Sequence, residues 1–137
     1  MTTSGYSKAA TEKALAAIAF DGDGLVPAIA QQHDTGEVLM QAWMNRDAVT
    51  ETLTTGNVCY YSRSRAALWR KGESSGQTQR LVKMRIDCDG DTVLLMVDQT
   101  GVACHTGRRN CFFRAVRNGE LITIAEQQVD PADLYGC

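Results

Sequence analysis

The residues best suited to chemistry lie close together, in the segment 87–111. It begins with Asp87-Cys88-Asp89-Gly90-Asp91, continues through an apolar run and ends in a polar stretch that contains Cys104, His105 and Cys111. Thiolates are soft ligands that suit zinc, whereas carboxylate oxygens suit magnesium or calcium. This segment therefore offers ligands for two different kinds of metal ion.

The spacing of Cys88, Cys104 and Cys111 favours a catalytic zinc over a structural one. These cysteines do not form the close Cys-x-x-Cys pairs of a zinc ribbon, and three protein ligands leave a fourth position for water. Zinc lowers the pKa of a bound water from about 15.7 to about 7. Three thiolates weaken that effect, and the neighbouring His105 is the candidate proton carrier. Two alternatives stay open: the thiols are buried apolar side chains, or they come from different subunits.

Three carboxylates, those of Asp87, Asp89 and Asp91, crowd into one predicted hairpin turn. Aspartate is common in such turns, so a solvated tip is one interpretation. Crowded carboxylates repel each other unless a cation or a basic partner relieves them, which favours a hard divalent cation. A calcium EF-hand does not fit, because Thr92 stands where its loop requires glycine and the flanking segments are strand-like.

Basic and hydroxyl residues suited to phosphate lie before this segment in sequence and near its C-terminal end. Arginine forks and serine hydroxyls bind phosphate oxygens, and glycine loops let backbone N–H groups approach an anion. Trp69 is suited to stacking on a flat heterocycle, although a half-buried tryptophan is the commoner case. The candidate substrate-binding residues are Ser62, Arg63, Ser64, Arg65, Trp69, Arg70, Lys71, Ser74, Ser75, Arg108 and Arg109.

The bulk composition is that of a soluble single domain. The chain has 137 residues, of which 44% are hydrophobic and 22% charged, enough to bury a core. A net charge of -2 and a pI near 5.6 disfavour a general binder of nucleic acid or membrane surfaces. No apolar stretch approaches the roughly 20 residues that cross a bilayer, and the N-terminus lacks a secretory signal. We therefore expect a cytoplasmic protein with reduced cysteines.

Periodicity and turn chemistry predict the elements that position these residues. Helices are expected at 11–20, at 46–55 and from Asp130 onwards, and strands at 25–32, 38–43, 58–62, 66–70, 82–87, 92–97, 112–116 and 121–125. Pro27 indicates an edge strand or a strand start, and hairpin turns are predicted at Asp89-Gly90, with two residues, and at Asn118-Gly119. For the helix at 46–55, Asn45 is the predicted cap and Gly56 the predicted end, and its predicted inner face consists of Ala48, Val49, Thr52 and Leu53. Cys59 and Cys137 are assigned structural roles, and His33 a place on the surface. The pattern predicts a mainly β, α+β domain.

Six motifs together closely resemble a known family. They lie at 36–40, 44–46, 60–65, 68–76, 87–91 and 104–112, the last reading Cys-His-Thr-Gly-Arg-Arg-Asn-Cys-Phe. In order and spacing they resemble phosphoribosyl-AMP cyclohydrolase of histidine biosynthesis over roughly 25–113, and chance explains such a match poorly. The resemblance implies twisted antiparallel sheets that form a sandwich or pseudobarrel with few short helices, built as an intimate homodimer.

The resemblance also implies an activity and two cofactors. The reaction is hydrolytic opening of the adenine ring of N1-(5-phosphoribosyl)-AMP, by water attack at C6 and cleavage of the N1–C6 bond, which gives the ProFAR imidazole carboxamide. Zinc is implied at Cys88, Cys104 and Cys111 across the subunit interface, with His105 as proton carrier and magnesium at Asp87, Asp89 and Asp91. The two phosphates of the substrate would account for the basic candidates in an acidic protein.

The domain assignment follows from the same resemblance. Residues 1–24 form a partly helical N-terminal extension of open role, and residues 25–137 form the cyclohydrolase domain. Some relatives carry a pyrophosphohydrolase domain after it, and because this chain stops at Cys137 we expect that activity to be absent. Two other functions stay open. One is a zinc-stabilised module that binds a nucleotide or nucleic acid without catalysis, which the acidic pI and unpaired cysteines disfavour; the other is a calcium-responsive interaction protein.

Overall fold

A computed structural model describes residues 5–135. In these residues the helices are α1 Lys8–Ala17, α2 Arg46–Thr55 and α3 Pro131–Tyr135. The strands are β1 Val26–Gln32, β2 Val38–Met44, β3 Cys59–Ser62, β4 Ala67–Arg70, β5 Gln79–Ile86, β6 Val93–Gln99, β7 Arg114–Arg117 and β8 Glu120–Thr123. None of the helices described is long and apolar enough to cross a bilayer.

Six strands form one curled sheet in the order β4-β3-β2-β1-β6-β5, and β7 pairs with β8 in a separate hairpin. The curl brings β5 close to the segment before β3, where Val58 N donates to Gln79 O at 3.0 Å and Leu81 N to Gly56 O at 2.7 Å. The sheet is thus a half-barrel, which confirms the mainly β prediction. It is not wholly antiparallel as expected, because β1 pairs with β6 in parallel.

Strand β1 lies in the middle of this sheet, so the edge position suggested by Pro27 is wrong. The alternative, a strand start, is correct, since Pro27 is the second residue of β1. Pairing with β6 begins only at Ala28, opposite Val93. The missing N–H of Pro27 therefore removes no hydrogen bond from the β1–β6 ladder.

Helix α2 covers one side of the sheet as its sequence predicts. The side chain of Asn45 accepts a hydrogen bond from Ala48 N at 2.8 Å at the N-terminus, and Gly56 ends the helix at φ 80°. The predicted inner face is confirmed, and its buried residues are Ala48, Val49, Thr52 and Leu53. They pack on a core from the central strands, which includes Val26, Ala28, Leu39, Met44, Tyr60, Val93, Leu95 and Val97.

Several predicted boundaries differ from the structure for local reasons. Helix α1 starts at Lys8, before the predicted residue 11, because Ser7 caps it by accepting a hydrogen bond from Ala10 N at 3.2 Å. It ends at Ala17, before the predicted residue 20. The turn between β5 and β6 is longer than the predicted two residues: pairing stops at Ile86 and Val93, with residues 87–92 between them. The predicted Asn118-Gly119 turn between β7 and β8 is confirmed.

The cysteine and histidine assigned to the scaffold occupy the expected environments. Cys59 is fully buried in β3, and burial raises the pKa of its thiol to about 11. It therefore remains a neutral core thiol at physiological pH, consistent with a structural role. His33 is exposed, as predicted, and Cys137 lies outside the described residues.

The buried hydroxyl of Thr52 yields a test of how α2 is joined to β3. It accepts a hydrogen bond from Cys59 N at 2.9 Å and donates one to Cys59 O at 3.2 Å. Thr52→Val keeps the shape but leaves both backbone groups unpaired, so we expect a loss of about 1–3 kcal/mol in the free energy of unfolding, measured in urea.

Thr50→Val is the matched control, because the hydroxyl of Thr50 bonds only to Arg46 O within the same helix. Its change should stay within about 0.5 kcal/mol. Equal losses in the two variants would contradict the assigned role of Thr52.

Candidate active site

The first half of the site is the loop after β6, residues 100–111, called the thiol loop below. Hydrogen bonds from Ala103 N to Arg109 O at 2.9 Å and from Cys104 N to Arg108 O at 3.2 Å fold the loop back on itself. Cys111 N then donates to Leu39 O in β2 at 2.7 Å, which fixes the far end of the loop. As a result the thiols of Cys104 and Cys111 lie side by side.

The environment of the two thiols suits a metal ion. Although Cys111 is exposed as a residue, desolvation and the neighbouring Cys104 together raise the pKa of its thiol to about 12, against an opposing effect of Lys71. The Cys104 sulfur lies 3.0 Å from Thr106 Oγ1. A cation that displaces the thiol protons would gain two adjacent soft ligands here.

His105 follows Cys104 directly and is exposed. His105 lies in a tight turn of the thiol loop, in which Gly107 N donates to Cys104 O at 3.0 Å. His105 thus lies one residue from a thiol of the pair and carries an imidazole, a group that both accepts and donates protons.

The second half is the turn at residues 87–91, called the carboxylate turn below. Asp87 Oδ1 accepts hydrogen bonds from Asp91 N at 2.9 Å and Thr92 N at 3.3 Å. The pKa of Asp91 is raised by its hydrogen bond to the Asp87 carboxyl and by that group's charge. Desolvation acts to raise the pKa of Asp87 as well, but hydrogen bonds from Asp91 and the turn backbone lower it overall. The carboxylates are thus crowded, as the sequence predicts.

The N-terminal segment supports the carboxylate turn, a contact that the sequence did not reveal. Ala19 N donates to Gly90 O at 2.7 Å. Gly90 has φ +75°, and a Cβ at this position would lie 2.4 Å from Ala17 O. Glycine is therefore required here both for the backbone conformation and for the close approach of the end of α1.

The two halves lie apart within one chain. Cys88 precedes β6 and Cys104 follows it, and seven residues of strand span roughly 20 Å. In residues 5–135 no three histidine, cysteine, aspartate or glutamate side chains of one chain are gathered to hold a metal ion. The structure thus brings Cys104 and Cys111 together and does not bring Cys88 to them.

Most of the predicted substrate-binding residues line two clefts that meet at Trp69. The first, the Lys71 cleft, has a volume of about 280 Å³ and includes Arg65, Trp69, Lys71, Ser74 and Ser75. The second, the Arg63 cleft, has a volume of about 610 Å³ and includes Ser62, Arg63, Ser64 and Trp69, together with Trp43 and Tyr61. Sequence reasoning missed these last two aromatic residues, because nothing in the local pattern separates them from core residues.

Two other predicted substrate-binding residues contact their own chain instead. Arg70 forms a two-pronged ion pair with Glu51, at 2.6 and 2.9 Å. Arg108 stacks at 4.1 Å over the ring of Phe113, and its Nε donates to Ala125 O at 2.9 Å. The structure places neither in the two clefts, and their contact with substrate stays a prediction.

Arg109, also predicted to bind substrate, points into the base of the thiol loop. Its Nη1 donates to Gly101 O at 2.6 Å and to Gln99 O at 3.3 Å, and its Nη2 to Gln32 Oε1 at 3.1 Å. Its Nε contacts Glu37 at 3.2 Å. These bonds join the start of the loop to β1 and β6, so Arg109 holds the loop in place.

Buried glutamines extend this network, and sequence reasoning missed them. Gln99 Nε2 donates to Thr100 O at 2.8 Å, and its Oε1 accepts from Gln79 Nε2 at 2.8 Å. Tyr60 in turn donates to Gln79 Oε1 at 2.6 Å. In residues 5–135 every buried side-chain nitrogen and oxygen has a hydrogen-bond partner. The available signal was the position of glutamines at the ends of otherwise apolar strands.

Comparison with known proteins identifies the family. Residues 40–113 match the family model described as phosphoribosyl-AMP cyclohydrolase. The chain is similar to proteins of that name from Rhodospirillum centenum, with 66% identity over 93% of this chain and 96% of the relative, and from Paramagnetospirillum magneticum, with 69% identity over 88% and 92%. The chain therefore belongs to the phosphoribosyl-AMP cyclohydrolase family. It is a hydrolase of histidine biosynthesis.

Replacing Arg109 distinguishes between its predicted role in substrate binding and its observed role in holding the thiol loop. Arg109→Met removes the bonds that hold the thiol loop, and hydrogen bonds from a charged group contribute about 1.5–3 kcal/mol each. We expect a loss of at least about 2 kcal/mol in the free energy of unfolding, seen by thermal and urea denaturation.

Arg80→Met is the control, because Arg80 makes only an exposed ion pair with Asp98 at 3.7 Å and should cost less than about 1 kcal/mol. If Arg109→Met is no less stable than Arg80→Met and instead weakens substrate binding, Arg109 is a substrate contact.

Proposed function

We propose that the protein opens the adenine ring of N1-(5-phosphoribosyl)-AMP in the cytoplasm, by hydrolysis of the N1–C6 bond, using zinc and magnesium. The observation that carries this proposal is the adjacent pair of Cys104 and Cys111 beside an exposed His105, in a chain similar to relatives named for this reaction. The two clefts that meet at Trp69 supply a surface for a substrate with a phosphate at each end.

Zinc would be held by Cys88, Cys104 and Cys111. The thiol loop already pairs two of these ligands. When bound, zinc supplies a Lewis acid that lowers the pKa of a coordinated water. Because β6, which spans roughly 20 Å, lies between Cys88 and Cys104 in the chain, and no three such ligands gather within residues 5–135, the third ligand would come from a second copy of the chain.

An apolar surface beside the thiol loop supports such a homodimer. The β7–β8 hairpin starts just after Cys111 and forms a sheet of its own, and isolated two-stranded hairpins are marginally stable in water. It and its flanks expose large apolar side chains, at Phe112, Val116, Leu121 and Ile124. Exposed apolar patches of this kind mark interfaces, and this one adjoins the ligand pair that needs a partner's Cys88.

Magnesium would be held by Asp87, Asp89 and Asp91. The support is the crowding of these exposed carboxylates, which raises the pKa of Asp91, and the preference of magnesium for carboxylate oxygen. A divalent cation would relieve that repulsion and stiffen the turn that also carries Cys88. The contact between Ala19 and Gly90 then gives the N-terminal segment a part in positioning both metals' ligands.

The remaining steps belong to side chains of this protein. His105 would accept a proton from the attacking water and deliver it to the ring nitrogen that leaves C6. Trp69, half-buried between the clefts, would stack on the flat base. Arg65, Ser74 and Ser75 on one side and Ser62, Arg63 and Ser64 on the other would bind the phosphates through charge-assisted hydrogen bonds.

Two substitutions in the thiol loop test the assigned roles. Cys104→Ala should abolish both turnover and zinc retention, because it removes one of two paired ligands. His105→Ala should retain zinc while activity falls about 100- to 10,000-fold, the usual contribution of a proton-transfer group. Zinc is measured by elemental analysis and ring opening by ultraviolet absorbance. Undiminished turnover in His105→Ala would remove that residue from the mechanism.

Hybrid dimers test the shared zinc site. Cys88→Ala and Cys104→Ala should each be inactive alone, whereas co-expression should restore about a quarter of wild-type activity. Random pairing makes about half of the dimers hybrids, and each hybrid holds one intact site of two. Inactive mixtures that still contain hybrid dimers, shown by native mass spectrometry, would mean that all three thiols act within one chain.

A further inference from the structure

Lys71 is buried, which is unusual for a lysine. Only 7% of it is exposed, and its Nζ donates a hydrogen bond to the carbonyl of Ala103, the residue before Cys104, at 2.9 Å. The ammonium also lies 5.6 Å from the ring centroid of Trp69. Lys71 N donates to Val58 O at 3.0 Å, so the backbone beneath the side chain is fixed as well.

This buried ammonium has no carboxylate partner within the part of the chain that the structure describes. Among residues 5–135 the ion pairs of carboxylates with lysine or arginine involve Arg70, Arg80 and Arg109, and none involves Lys71. A buried charge is costly unless an opposite charge compensates for it. Burial accordingly lowers the pKa of Lys71, whereas negative charge on Cys111 and Cys104 raises it. The hydrogen bond to Ala103 O holds the ammonium one residue from Cys104 in the chain, so thiolates that bind zinc there would be the groups to compensate it.

We propose that Lys71 is a positioning residue of the zinc site, whose ammonium group anchors the thiol loop through Ala103 and offsets the charge of the Cys104 and Cys111 thiolates. The proposal rests on the zinc site put forward under the proposed function. Three thiolates and a divalent zinc ion carry one excess negative charge, and the ammonium brings the local sum to zero. Reducing that negative charge strengthens zinc as a Lewis acid, which three thiolates otherwise weaken.

The same side chain also lines the Lys71 cleft, so a role as a phosphate ligand is the competing interpretation. The two roles predict different changes. A counter-charge to thiolates affects zinc affinity and kcat, because it acts on the metal and its water. A phosphate ligand affects KM, because it acts on substrate binding.

The test replaces Lys71 by Met, which removes the charge and the hydrogen bond, and by Gln, which removes the charge but keeps a donor. Lys83→Met is the matched control, because Lys83 is exposed on β5. Zinc affinity is measured on purified dimers by competition with a chelator, and kcat and KM at saturating zinc. We expect both Lys71 variants to bind zinc about 10- to 100-fold more weakly, with kcat reduced and KM nearly unchanged. Lys83→Met should match the wild type.

The stability of the metal-free variants supplies an independent readout. In the metal-free protein we expect the loss of the hydrogen bond to Ala103 O to be offset by the removal of an uncompensated buried charge, so the free energy of unfolding should change little in either Lys71 variant. Wild-type zinc affinity in Lys71→Gln, or raised KM with unchanged kcat, would overturn the proposal. So would lower stability of both metal-free variants, which would mark Lys71 as a scaffold residue. Zinc retention in the Cys104→Ala variant, with Lys71 unchanged, would instead overturn the zinc site itself.

Discussion

Strand β6 sets the constraint on which the rest of the site depends. It is paired on both sides, in parallel with β1 and antiparallel with β5, and Val93, Leu95 and Val97 are fully buried. Such a strand can neither shorten nor bend enough to bring its two ends together. Side chains placed before and after it therefore lie toward opposite ends of the strand, and the proposed centre of three thiols would need one of them from a second chain.

The thiol loop is held by polar groups in a place where most folds use apolar packing. Arg109, Gln32 and Gln99 bond to backbone at the ends of β1 and β6, and Gln79 continues the network into the core. Hydrogen bonds are directional, so a satisfied network specifies one loop conformation where apolar contacts would allow several. Such a network is sensitive to substitution, because each missing partner leaves a buried polar group unpaired.

Local signals in the sequence were sufficient for some elements and not for others. Helix α2 was predicted from Asn45 to Gly56 because caps and an apolar face act within the helix itself. Pro27 left an edge strand and a strand start both open, because its missing N–H matters only where a partner strand needs it, and the partner β6 lies more than 60 residues away in sequence. The pairing of Cys104 with Cys111 depends on the fold of the loop between them, which spacing alone does not determine.

The basic residues show most clearly that local sequence does not determine which contacts a side chain makes in the fold. In sequence Arg63, Arg65, Lys71 and Arg109 look alike, as cations near hydroxyls and a chemical site. In the structure Arg63 and Arg65 are exposed at the clefts, whereas Lys71 and Arg109 turn inward to backbone carbonyls of the thiol loop. A protein that gathers thiolates and carboxylates around an anionic substrate needs both kinds. On the proposed function, the outward cations would attract the substrate, and the inward cations would limit the repulsion that the protein's own anions exert on it.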